Sequence, residues 1–94
     1  MAATVDDITI EYVEGDLTTV KQLDKVILTK GAWSTIMFRY QDWDKRKEAY
    51  GEEKFSIRRY QKRNGEYRQK SKFNISNKDQ AKQIIDILSG WTSE

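Results

Sequence analysis

The chain has 94 residues, a net charge of +2, and neither cysteine nor histidine. This length suits one small domain, the lack of cysteine excludes disulfides and thiol chemistry, and the lack of histidine removes the commonest general base and transition-metal ligand near neutral pH. No apolar run approaches the roughly 18 residues of a membrane helix, and "MAATVDDITI" has neither the basic start nor the apolar core of a signal peptide. The expectation is a cytoplasmic or nucleoid-associated protein, nuclear in a eukaryote, with no bound metal or cofactor.

In chain order, "ITIEYV" (8–13) alternates weakly and predicts a short strand. Residues 14–25 are polar, with Gly15-Asp16 as a turn signal, and residues 1–25 read as an extra N-terminal strand and loop. "VILT" (26–29) predicts a strand that Gly31 ends. "WSTIMFRYQ" (33–41), rich in β-branched and aromatic residues, predicts another. "DWDKRKEAYGEE" (42–53) reads as a charged connection. Two further strands follow, near 54–62 and 66–75.

A helix comes last. Ser76 is the expected N-cap, with Asp79 three residues on. Ala81, Ile84, Ile85, Leu88 and Trp91 form one apolar stripe, and Ser89-Gly90 marks the expected end. Strands followed by one helix predict an α+β domain: a curved antiparallel sheet of four to five strands and a C-terminal α-helix. Trp91 is hard to bury in so small a monomer. Ile84, Ile85, Leu88 and Trp91 are therefore expected to form a dimer interface.

Charge is unevenly spread. Residues 1–31 carry three Lys against six Asp or Glu, whereas residues 45–72 carry eleven Lys or Arg against four Glu. Such segregation points to an anionic partner for the central segment. Its densest part is "FSIRRYQKRNGEYRQKSKFNIS" (55–76), with seven cations and only Glu66 acidic.

Asn64-Gly65 suggests a two-residue type I′ hairpin loop. That register leaves both faces half apolar and half charged. A three-residue loop, Arg63-Asn64-Gly65 with Gly65 in a G1 bulge, repairs the pattern. One face then holds Phe55, Ile57, Arg59 and Gln61 with Tyr67, Gln69, Ser71 and Phe73. The other holds Ser56, Arg58, Tyr60 and Lys62 with Arg68, Lys70 and Lys72. The three-residue register is the expectation. Cations spaced among flat rings suit single-stranded nucleic acid, because cations neutralise phosphates and rings stack on unpaired bases. Arg58, Tyr60, Lys62, Arg68, Lys70 and Lys72, with Trp33 and Arg39 from the preceding strand, are the candidate binding residues.

The segment "SIRRYQKRNGEYRQKSKFNISNKDQAKQIIDIL" resembles the positive cofactor 4 transcriptional coactivators and their bacterial single-stranded-DNA-binding relatives. The matching positions are Ile57-Arg58-Arg59-Tyr60, Gly65-Glu66, Lys70, Lys72 and Asn74-Ile75-Ser76, with a weaker likeness back to about Val26. The resemblance implies a four-stranded sheet over 26–91, a dimer made through the helices, single-stranded DNA on the basic sheet, and a role as a transcription cofactor or regulator. It matches Arg58 to a nucleic-acid-contacting arginine. Gln61 and Asn74 depart from the family pattern, which often has an aromatic and a glycine there.

Two other readings compete. The basic face suits an acidic protein partner equally well in charge. Asp42 or Asp44 followed by Glu52, Glu53 and Lys54 is similar to the carboxylate and lysine set of Mg²⁺-dependent nucleases. Residues of these types recur by chance in a chain that is 34% charged, so the expectation is a protein without catalysis.

Overall fold

The computed structural model describes residues 2–93. Its frame is one curled antiparallel sheet, formed by β1 (Tyr12–Glu14), β2 (Leu17–Thr29), β3 (Trp33–Asp44), β5 (Lys54–Arg63) and β6 (Glu66–Ile75), adjacent in that order. A two-residue strand, β4 (Ala49–Tyr50), pairs with the end of β3. One helix, α1 (Lys78–Thr92), follows. The α+β class and the curved antiparallel sheet with a C-terminal helix agree with the sequence expectation.

The strands run longer than local composition suggested. β2 begins at Leu17 and includes the polar "LTTVKQLDK", because pairing to β1 over Leu17–Val20 and to β3 from Val20 onward engages its backbone whatever the side chains prefer. It therefore crosses the expected boundary at residue 25. β3 continues to Asp44, so the charged connection is mostly a hairpin arm: Trp43 pairs with Tyr50 and Asp44 with Ala49 around a turn at 45–48.

The β5–β6 hairpin corrects the expected register. Asn64 and Gly65 both have positive φ, 52° and 80°, as a two-residue type I′ turn requires. Arg63 pairs with Glu66, Lys62 with Tyr67 and Tyr60 with Gln69. The register then shifts, so that Arg59 pairs with Ser71 and Phe55 with Ile75. Lys70 is the extra residue in this bulge. A one-residue bulge exchanges the faces of everything beyond it. Thus Phe73 and Ile75 join Phe55 and Ile57, while Tyr67 joins Tyr60. The conflict that argued against the two-residue loop is removed by the bulge in mid-strand and not by a longer turn.

Alternation divides the sheet into two faces. On one, Ser34, Ile36, Phe38 and Tyr40 of β3 line up with Tyr60 and Tyr67, all buried. Residues 2–10 cross this face as a strap. They do not form the strand expected over 8–13, which is limited to Tyr12–Glu14. Val5, Ile8 and Ile10 of the strap are buried in the same cluster. Its backbone is held by side chains of β2. Lys25 Nζ donates to the carbonyls of Val5, Asp6 and Ile8 at 2.7, 3.0 and 2.7 Å. Gln22 Oε1 accepts from Ile10 N and Thr9 Oγ1. At the other end, Tyr67 N donates to the Ala2 carbonyl at 2.9 Å.

The helix lies over the opposite face. Its N-cap is Asn77, one residue later than expected: Asn77 Oδ1 accepts from Gln80 N at 2.8 Å, and Gln80 Oε1 accepts from Ser76 N at 3.0 Å. This reciprocal pair satisfies two backbone donors. The helix continues through Ser89-Gly90 to Thr92 and has no buried residue.

Candidate nucleic-acid interface

The bulge distributes the hairpin cations between the two faces. Arg58, Lys62 and Lys72 share the strap face, whereas Arg59, Gln61, Arg63 and Arg68 lie on the helix face with Trp33 and Arg39. The candidate residues are therefore not coplanar, as the three-residue loop had implied. Tyr60, expected to be an exposed stacking ring, is 7% exposed and lies in the core with the strap. Burial pushes its hydroxyl above the ordinary tyrosine pKa, against the opposing charge and hydrogen bond of Arg58. Arg58 is itself engaged. Its Nε donates to Ser56 Oγ at 3.0 Å, its Nη1 donates to Gln69 Oε1 at 3.1 Å, and its guanidinium lies over the Phe38 ring. Ser56 Oγ passes the chain on to Asn74 Oδ1. This is a satisfied polar network on the edge of a core.

The tip of the helix face is different. Trp33, Gln61 and Arg68 stand side by side across β3, β5 and β6. Trp33 is 43% exposed, and the Arg59 guanidinium sits 4.6 Å from its ring centroid. Such a contact contributes about 0.5–1 kcal/mol at an exposed site. The platform is braced from behind: Lys62 N donates to the Ala32 carbonyl at 2.7 Å and Tyr67 Oη to the Gly31 carbonyl at 2.8 Å. Gly31 has φ 145°, a conformation that few side-chain-bearing residues adopt. Arg59 was not among the candidates, having been placed on an inner face. Its diagonal neighbourhood to Trp33 follows only from the β3–β5 register.

Among the described residues, Arg58, Arg59, Lys62, Arg63, Lys70 and Lys72 have no carboxylate within salt-bridge distance. Arg68 approaches Glu66 only at 3.9 Å. Arg39 is paired, with Glu53 at 3.2 Å, and stands beside Phe55 away from the tip. Among the described residues, six of the seven hairpin cations over 55–76 are thus left without a carboxylate partner.

Three of the four carboxylates considered for metal binding, Asp42, Asp44 and Glu53, are engaged by other groups. Asp42 pairs with Lys54 at 3.0 Å, a hydrogen bond that raises the Lys54 pKa. Asp44 Oδ1 accepts from the backbone N–H groups of Arg46 and Lys47, and Glu53 pairs with Arg39. Among the described residues no group of three or more potential metal-ligating side chains occurs.

The rest of the helix face is apolar and open. Leu28, Met37, Phe55, Ile57 and Ile75 face Ala81, Ile84, Ile85 and Leu88 across a groove. Ile85 and Leu88 remain 62% and 50% exposed, Phe73 54% and Trp91 79%. Ile84, Ile85 and Leu88 therefore line one continuous apolar surface, and Trp91 extends the helix stripe outside the groove. Among the described residues no helix is long and apolar enough to cross a membrane. Comparison with protein-family models, with curated proteins and with solved structures finds no match for this chain.

Proposed function

We propose that the protein binds single-stranded nucleic acid, DNA in the first instance, at the β5–β6 hairpin tip and without catalysis. The observation that carries this is the exposed Trp33 ring, stacked on Arg59 and flanked by Arg68, at the end of a hairpin whose cations over 55–76, Arg68 with its 3.9 Å approach to Glu66 apart, have no carboxylate within salt-bridge distance among the described residues. A ring and a guanidinium present flat surfaces to unpaired bases, which a duplex hides. Arg63 and Arg68 on the same face, with Lys70 at the bulge, supply phosphate contacts around them. The resemblance of residues 57–76 to the positive cofactor 4 coactivators supports the same reading and the role of transcription cofactor or regulator that goes with it.

The proposal includes a second copy of the chain. Large apolar side chains stand exposed along both walls of the helix-face groove, Leu28 on the sheet and Ile85 and Leu88 on the helix, and contiguous exposed apolar side chains mark a contact surface. A two-fold contact is self-complementary, and Ile84, Ile85, Leu88 and Trp91 are its helix side.

Fluorescence anisotropy with a labelled oligo-dT of about 20 nucleotides, at two salt concentrations and against the matching duplex, tests the function. The expected result is salt-sensitive binding that favours the single strand. No binding at low salt, or equal affinity for duplex, overturns it. Binding of a labelled acidic peptide, with no oligonucleotide binding, identifies a protein-recognition surface instead.

A further inference from the structure

The arm at the far end of β3 carries a second, separate cluster of cations. Lys45, Arg46 and Lys47 are consecutive, all exposed, and occupy the turn at 45–48. Among the described residues none of them has a carboxylate within salt-bridge distance. Two acids flank them in sequence: Asp44 Oδ1 accepts from the N–H groups of Arg46 and Lys47 at 2.9 and 3.3 Å, and Glu48, the last residue of the turn, is exposed and among the described residues forms no salt bridge with them. The Asp44 carboxylate shapes the turn, and the three cationic side chains project from it.

The arm is also fixed in place. Trp43 and Tyr50 pack edge to face with centroids 5.1 Å apart. Tyr50 Oη donates to the Thr18 carbonyl at 2.8 Å, and Lys21 lies over its ring. Gly51 N donates to the Asp42 carbonyl, and Gln41 Nε2 to the Gly51 carbonyl. Trp43, Lys45, Arg46 and Lys54 line an open groove of about 530 Å³, with Asp42 and Asp44 at its walls and Asp42 already neutralised by Lys54.

We infer that this arm is a second contact for the nucleic-acid strand, with Lys45 and Arg46 taking phosphates beside the Trp43 ring. The inference rests on the hairpin-tip reading and extends it. Trp33 and Asp44 bound the same strand, eleven residues apart, so the two contacts are separated by about 36 Å at roughly 3.3 Å per residue. A strand stacked at about 3.4 Å per nucleotide needs on the order of eleven nucleotides to reach both. Short oligonucleotides engage one contact, and longer ones engage both.

The test compares oligo-dT of about 5 and about 20 nucleotides, spanning the usual range of site sizes, on the unaltered chain and on a variant combining Lys45→Ser, Arg46→Ser and Lys47→Ser. These side chains are exposed, and circular dichroism checks that the variant folds. The expected result is that the variant binds the longer oligonucleotide roughly 10- to 100-fold more weakly at low salt, with a salt slope smaller by about 2, while affinity for the shorter one is kept within about twofold. Undiminished affinity of the variant for the longer oligonucleotide overturns the second contact and leaves the hairpin-tip site standing. Equal loss for both lengths also overturns it, since the arm then belongs to one compact site. Failure of the unaltered chain to bind either oligonucleotide overturns the function itself.

Discussion

The two faces of one sheet have opposite fates. On the strap face, residues 2–10, with one 3₁₀ turn at Val5–Asp7, bring Val5, Ile8 and Ile10 onto Ile36, Phe38, Tyr60 and Tyr67, and three strap carbonyls are met by Lys25. On the helix face, a whole helix follows the sheet and buries none of its own residues. The short strap seals better than the long helix because its backbone polar groups are paired to the sheet, which lets its apolar side chains enter the core without stranding donors or acceptors. The lesson is that the basic residues of β5 alone do not locate a surface. Those on the sealed face are partly structural, and those on the open face are available.

The largest expected difference between the faces is in stability. Phe38→Ala, at a side chain 2% exposed, should destabilise the fold by about 3–5 kcal/mol in urea unfolding. Leu88→Ala on the half-exposed helix should cost far less at dilution and instead weaken self-association, read by sedimentation. Comparable losses for both would erase the contrast. Lys25→Met should cost about 2 kcal/mol, since a charged donor to three carbonyls is removed. Faster amide exchange over residues 2–10 is the accompanying sign. Trp33→Ala should leave unfolding nearly unchanged and weaken oligo-dT binding by about 1–3 kcal/mol.

A smaller effect separates the faces at high pH. Burial raises the Tyr60 and Tyr40 hydroxyls above 10.0, and the Asp42 hydrogen bond raises Lys54 above 10.5. Each group holds its proton more tightly when folded. Stability is therefore fully present below the unfolded pKa and declines as pH rises past it towards the folded value. Unfolding midpoints should be flat below about 10 and fall above it, and Tyr60→Phe should soften that fall. No change with Tyr60→Phe would place this ring outside the sealed core.

Much of the fold was legible. The stripe Ala81, Ile84, Ile85, Leu88, Trp91 announced the helix, and the alternation on either side of Asn64-Gly65 announced a hairpin ending near Ile75. Two things were hidden for physical reasons. The bulge at Lys70 exchanges faces without any compositional mark, because a lysine on an exposed edge strand fits either side. The strap could not be read from "ITIEYV", since alternation describes a half-buried extended chain whether it pairs in a sheet or lies across one. The strap puts Tyr60 in the core, the bulge sets which β6 cations share a face with it, and the β3–β5 register brings Arg59 to Trp33. The binding chemistry was therefore visible in the composition of residues 55–76, while its geometry was not.

Amide hydrogen exchange of the full chain, with and without an oligo-dT of about 20 nucleotides, tests the two-face account most directly. The account predicts new protection around Trp33 and across residues 59–70, with residues 2–10 unchanged. Loss of protection in residues 2–10 on adding the oligonucleotide would show that the strand displaces the strap and contradict it.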